Sequence, residues 1–157
     1  VVFFVAAGGV GSAVAQEDGP VVNTTYGPVR GFYQSSAEQG GNLTRAFLGI
    51  PFAAPPARFA AATAPATWTE AINATAWPAP CVQPASFPNP NRTIGSEDCL
   101  YLNVFTPRDA QAGDDLPVMV YVHGGRYWTG ESDQYAGQWL SGNGRVVLVT
   151  IQVRASS

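Results

Sequence analysis

The residues best suited to chemistry in this chain are His123-Gly124-Gly125, which follow directly on the apolar run Val118 to Val122. Paired glycines free the backbone to turn sharply and to aim its N–H groups outward, so a turn of this composition can bind an oxyanion. His123 is the only histidine, which makes it a candidate general base as well as a loop residue. Gly130-Glu131-Ser132 has half the form of a G-x-S-x-G nucleophile elbow, but Gln134 stands where the closing glycine belongs and no strand precedes the segment. Ser132 is therefore not read as a nucleophile. Glu97 and Asp98 are neighbours in sequence, so their side chains point apart and make a poor acid/base pair.

The element that must position the glycine turn is the strand before it. Val118 to Val122 is nearly continuous in apolar residues, which predicts a central parallel strand covered on both faces, the alternative being an ordinary buried core strand. Arg145 to Ile151 is a second such run, and the weakly helical Asp133 to Gly142 lies between the two, so a parallel βαβ crossover is expected. Upstream, Val21–Thr25 and Val29–Tyr33 flank Tyr26-Gly27-Pro28 as a β-hairpin. Ser35 to Asn42 is a polar, glycine-rich loop, and Arg45 to Phe52 and Leu102 to Thr106 are strands. Pro107 to Asp115 reads as a polar loop. Ala54 to Pro90 is rich in Pro and Ala without sustained periodicity, so composition makes it a long structured loop.

Composition bounds the partners. Of 157 residues 12 % are charged, about half the usual share for a soluble domain, and eleven acids outnumber eight basic residues, all arginine. The arginines are scattered singly from Arg30 to Arg154, whereas a nucleic-acid face needs clustered positive charge, so nucleic acid is not expected as a partner. One histidine and two cysteines do not make up a metal site, and no metal or other cofactor is expected.

The segment 1–15 is apolar and then small, with Ala13 and Ala15 placed as at an A-x-A cleavage site before Gln16. It reads as part of a signal peptide, too short to span a bilayer, the alternative being a buried N-terminal segment. Residues 16–157 are then the mature portion. Four acceptor sequons, at Asn23, Asn42, Asn73 and Asn91, agree with a secreted, extracellular glycoprotein. Cys81 and Cys99 are the only cysteines, and in a secreted chain an even count suggests one disulfide, with two free thiols as the alternative.

Several blocks carry a resemblance. Ser96-Glu97-Asp98-Cys99-Leu100-Tyr101-Leu102-Asn103 is similar to the SEDCLYLN signature of the type-B carboxylesterase and cholinesterase family, and Phe47 to Ala53 resembles its FLGIPFA block. Trp68, Asn73-Ala74-Thr75 and Cys81-Val82-Gln83 resemble its W…NAT…CxQ run, and His123-Gly124-Gly125 its oxyanion loop. The resemblance implies the N-terminal portion of an α/β-hydrolase fold, with a small antiparallel sheet and the first strands of the central sheet. It implies a carboxylic ester hydrolase acting on small-molecule esters through a serine nucleophile.

By the same resemblance the oxyanion donors are the N–H groups of Gly125 and Arg126, His123 and Gly124 are structural loop residues, and Arg58 pairs with Glu97 inside the fold. The nucleophile, acid and histidine of a triad would follow the loop, and none is present within these 157 residues. Arg126 departs from the family's usual small residue, and a left-handed conformation there would cost about 1 to 2 kcal/mol. The cysteine loop from Val82 to Asp98 holds no Trp of the kind that binds choline by a cation–π contact, which disfavours choline esters. The rival readings are a non-catalytic adhesion relative and an inactive truncated product.

Overall fold

The computed structural model describes residues 19–35, 43–85 and 91–154. Its strands are β1 (Val21–Asn23), β2 (Pro28–Arg30), β3 (Phe32–Ser35), β4 (Leu43–Pro51), β5 (Ile72–Asn73), β6 (Gln83–Pro84), β7 (Thr93–Ile94), β8 (Tyr101–Pro107), β9 (Val118–Val122) and β10 (Val147–Ile151). One helix, α1 (Gln138–Gly144), joins the last two strands. The described residues are thus mostly sheet.

β1 and β2 form the expected hairpin, with Val22 opposite Val29. Its turn is closed by Thr24, whose N–H and hydroxyl both donate to the Gly27 carbonyl at 3.0 and 2.7 Å. Trp68 fastens it from outside, donating through Nε1 to the Pro28 carbonyl at 2.8 Å and through its N–H to the Tyr26 carbonyl. The apolar stretch after the turn is not one strand, as the sequence suggested. It breaks at Gly31, whose N–H bonds the Pro20 carbonyl, so that β2 stays in a small sheet of order β1-β2-β5 and β3 enters the larger one.

The larger sheet has the order β3-β4-β8-β10-β9. Successive residues of a strand face opposite sides, and both sides carry a core here. Ala46, Leu48, Phe105 and Leu148 pack on one face with Phe32, Trp77 and Tyr121 around them. Phe47, Val29 and Ala74 pack on the other with Ile50, Trp68, Ile72 and Val104. α1 covers β4, β8 and β10. It is shorter than the helical pattern suggested and starts later, because residues 133–137 are turn, bend and irregular chain rather than helix.

β9 and β10 run parallel in register from Val118–Val147 to Val122–Ile151, so the crossover is present. The central position expected for β9 is not. β10 already has β8 as its other neighbour, paired antiparallel, and this leaves β9 at the sheet edge with Val118 and Val120 64 % and 62 % exposed. The helix that should cover it sits over the neighbouring strands instead.

Beneath the helix side of the sheet is a buried polar node. Asn103 is fully buried in β8; its amide donates to the hydroxyls of Ser132 and Thr150, both at 2.9 Å, and its Oδ1 accepts from the Gly49 N–H at 2.9 Å. These bonds join β8 to β10, to the irregular part of β4 and to the segment after the glycine turn. Asn103→Ala would strand two buried hydroxyls and the half-buried Gly49 N–H, and a net loss of about 2 kcal/mol is expected. Urea unfolding checks this, and an unchanged midpoint would show that the node is dispensable.

Candidate active site

The turn from His123 to Gly130 begins where β9 ends. Gly125 folds it back, its carbonyl accepting from the N–H groups of Trp128 and Thr129 at 3.0 and 3.1 Å. With φ at +123° it occupies backbone space that a side chain rarely enters, and a Cβ there would lie 1.6 Å from the Thr129 carbonyl oxygen. Arg126 and Tyr127 follow in left-handed conformation at φ +58° and +59°. Two such residues in succession, neither of them glycine, store strain that the surroundings must hold. Among the described residues neither the Gly125 nor the Arg126 N–H has a hydrogen-bond acceptor. The loop therefore presents two adjacent, unpaired donors at the end of a sheet strand.

What holds the loop comes from elsewhere in the chain. Gln83, buried in β6, clamps Gly130 at two points: its Oε1 accepts from the Gly130 N–H at 2.7 Å and its Nε2 donates to the Gly130 carbonyl at 2.9 Å. Gly130 in turn lies so close to the start of the loop that a Cβ on it would meet the Gly124 carbonyl and His123 Nδ1 at 2.3 Å. Gln83 is two residues from Cys81, which is disulfide-bonded to Cys99 with the Cα atoms 5.0 Å apart. Both cysteines are buried with Ala53 and Leu100, and Phe52 packs beside them. The disulfide is thus the anchor of the residue that closes the loop, and Asn103 holds the next turn through Ser132. Neither Gln83 nor Asn103 stood out as functional in the sequence. The only signal was their place within the CxQ and SEDCLYLN blocks, which says nothing of what their side chains touch.

His123 is half-buried, with Nδ1 2.9 Å from the Gly124 carbonyl and Nε2 buried without a partner among the described residues. Glu131 lies near it: burial pushes the Glu131 carboxyl up from its ordinary value, the Asp133 charge adds to this, and His123 draws it partly back. Ser132 is buried, and its Oγ accepts from the Asn103 amide. A cavity of about 320 Å³ opens against the loop, walled by His123, Gly124, Arg126 and Tyr127 on one side and by Val153 and Arg154 on the other. That volume suits a small molecule.

The remaining sites lie away from the loop. Arg58 Nη1 donates to Glu97 Oε1 at 2.9 Å, but the two side chains are 51 % and 44 % exposed, so the pair is on the surface rather than inside the fold. The reason is the course of residues 55–64, which run mostly exposed past the signature block. Exposure limits such a pair to about 0 to 1 kcal/mol. Asn23, Asn73 and Asn91 are exposed, and Asn42 lies outside the described residues. Among the described residues no cluster of His, Cys, Asp or Glu could hold a metal ion, and no helix is long and apolar enough to cross a membrane.

An unpaired donor loop braced by a disulfide and two buried amides is a general device, and the comparison with known proteins gives the family in which it occurs here. The model of the carboxylesterase family matches residues 18–157. The chain belongs to the carboxylesterase family. It is 44 % identical over 149 residues to carboxylesterase 1D of Rattus norvegicus, an alignment covering 86 % of this chain and 26 % of that one. It is 41 % identical over 156 residues to carboxylesterase 3 of Homo sapiens, covering 92 % and 27 %. It is 39 % identical over 153 residues to acylcarnitine hydrolase of Mus musculus, covering 88 % and 27 %. The chain spans about a quarter of the length of the curated carboxylesterases it matches. The glycine turn, the disulfide and the signature block all fall within the matched residues.

Proposed function

We propose that the polypeptide carrying this chain is a carboxylic ester hydrolase, and that residues 16–157 supply its oxyanion loop and the N-terminal portion of an α/β-hydrolase fold. The observation that carries the proposal is the pair of unpaired N–H groups at Gly125 and Arg126 on a rigidly braced loop. In ester hydrolysis a serine Oγ attacks the carbonyl carbon, its proton passes to a histidine, and the carbonyl oxygen becomes an oxyanion. The two donors would meet that oxygen, each such donor lowering the barrier by about 2.7 to 4 kcal/mol. Among the described residues neither N–H is committed to another acceptor, so no bond within the loop has to break for them to meet the oxyanion. The substrate class is a small-molecule carboxylic ester, which the 320 Å³ cavity accommodates.

The test is covalent labelling of the complete gene product with a fluorophosphonate. One adduct per molecule on a serine beyond residue 157 is expected, with parallel loss of p-nitrophenyl butyrate hydrolysis. Residues 16–157 alone, which contain no G-x-S-x-G elbow, should give neither. A complete product that neither labels nor turns over ester would defeat the reading.

We also infer that the mature protein is a secreted glycoprotein and that the segment 1–15 belongs to its signal peptide. The support is the A-x-A pattern before Gln16 and the exposure of three sequon asparagines. Expressed with its complete leader, the protein should reach the medium with glycans on at least two sequons. Secreted protein whose gel mobility is unchanged by glycosidase would contradict this.

A further inference from the structure

The cavity beside the glycine turn carries an uncompensated positive charge. Arg126 and Arg154 both wall it, and no carboxylate is among the lining residues. Arg154 directs Nη2 to the Ala60 carbonyl at 2.6 Å, so part of its hydrogen-bonding capacity is spent on the chain. Arg126 has no ion-pair partner and no hydrogen-bond partner among the described residues. Glu131, the first acidic residue after the loop in sequence, takes its electrostatic influence from Asp133 and His123 and not from Arg126. Among the described residues the Arg126 side chain is therefore unpaired, on a residue that lines the cavity. It also stands on the residue whose N–H is an oxyanion donor, and holding it there requires a left-handed backbone that glycine would adopt without strain.

We propose that Arg126 is a specificity-determining residue that selects esters bearing an anionic group a few carbons from the scissile carbonyl, of which the half-esters of short dicarboxylic acids are the simplest class. The proposal rests on the esterase reading and names the substrate class of the same site. With the carbonyl oxygen at the Gly125 and Arg126 N–H groups, the Arg126 side chain starts from the same residue and reaches only groups within its own length. A neutral acyl chain gains nothing from that charge and must displace its water. A carboxylate gains a planar, two-point, charge-assisted contact, which a guanidinium makes better than an ammonium.

The experiment compares the complete gene product with Arg126→Gly and Arg126→Lys, on monoethyl glutarate and on ethyl pentanoate, in which a methyl group replaces the carboxylate. Glycine suits the backbone at this position, so the first variant keeps the turn. The quantity read is the ratio of kcat/KM for the two esters, which cancels any change in the shared oxyanion contact. The ratio should fall by about 10- to 100-fold in Arg126→Gly, as expected for loss of a hydrogen bond between charged groups, and by less in Arg126→Lys. Added salt should lower it more in the wild type and in Arg126→Lys than in Arg126→Gly. Turnover of both esters with a ratio indifferent to Arg126 would overturn the proposal and leave the esterase reading standing. If neither ester is hydrolysed while p-nitrophenyl butyrate still is, calorimetric titration with glutarate decides the subsite. Binding that Arg126→Gly abolishes retains it; no binding overturns it.

Discussion

If the complete gene product is the proposed ester hydrolase, Gly125→Ala is expected to lower its kcat by about 10²- to 10³-fold, the loss associated with one oxyanion donor, with a much smaller change in KM. Two facts make the effect large. The φ of +123° lies where alanine is strained, and the added Cβ would fall 1.6 Å from the Thr129 carbonyl oxygen, a backbone atom that cannot swing aside like a side-chain tip. The turn must open. Its opening breaks the bonds from Trp128 and Thr129 to the Gly125 carbonyl, and the proposed donors at Gly125 and Arg126 are then displaced. Ground-state binding depends on the whole cavity, whereas the donors act on charge that develops only in the transition state, so the loss belongs in kcat. Steady-state kinetics with p-nitrophenyl butyrate, alongside a melting curve to show that the variant folds, makes the measurement. A folded Gly125→Ala enzyme with kcat within threefold of wild type would remove these N–H groups from the mechanism.

Replacing both cysteines, Cys81→Ala with Cys99→Ala, should destabilise the fold by about 3 kcal/mol on the chain-entropy view of a loop of this length. The disulfide closes residues 82–98, a stretch whose only described strands are the two-residue pair β6 and β7. So little regular structure cannot hold the loop in its absence. The effect should not stop at stability, because Gln83, two residues past Cys81, is the clamp on Gly130. Activity should fall in step with the population in which that clamp is released. Urea midpoints of the two proteins, with and without reductant, are the test. A wild-type midpoint indifferent to reductant would sink the stability claim, and two cysteines alkylated without reductant would mean that the bond does not form.

The sequence by itself determined the pieces whose information is local. A hairpin is legible at Tyr26-Gly27-Pro28 because turn residues act over a few positions. The parallel pairing of β9 with β10 is legible because two continuous apolar runs need a connection of some length between them. The glycine turn at 123–125 follows from glycine's freedom alone. The blocks around Phe47, Cys81 and Ser96 were sufficient to place the chain in its family, since a motif is a local string.

The tertiary structure decided whatever depends on which strands become neighbours. An apolar run looks the same at the centre of a sheet and at its edge, and β9 lies at the edge only because β10 pairs with β8 on its other side. Continuity of Val29 to Tyr33 failed for a similar reason: Gly31 bonds back to Pro20, and the two halves join different sheets. Arg58 and Glu97 meet as the resemblance implied, yet their exposure depends on the path of residues 55–64, which no spacing records. Gln83 and Asn103 act through contacts 47 and 29 residues away in sequence, at Gly130 and Ser132. An amide reveals its partner only once the chain has folded around it, because both of its groups can bond anything polar within 3 Å or so.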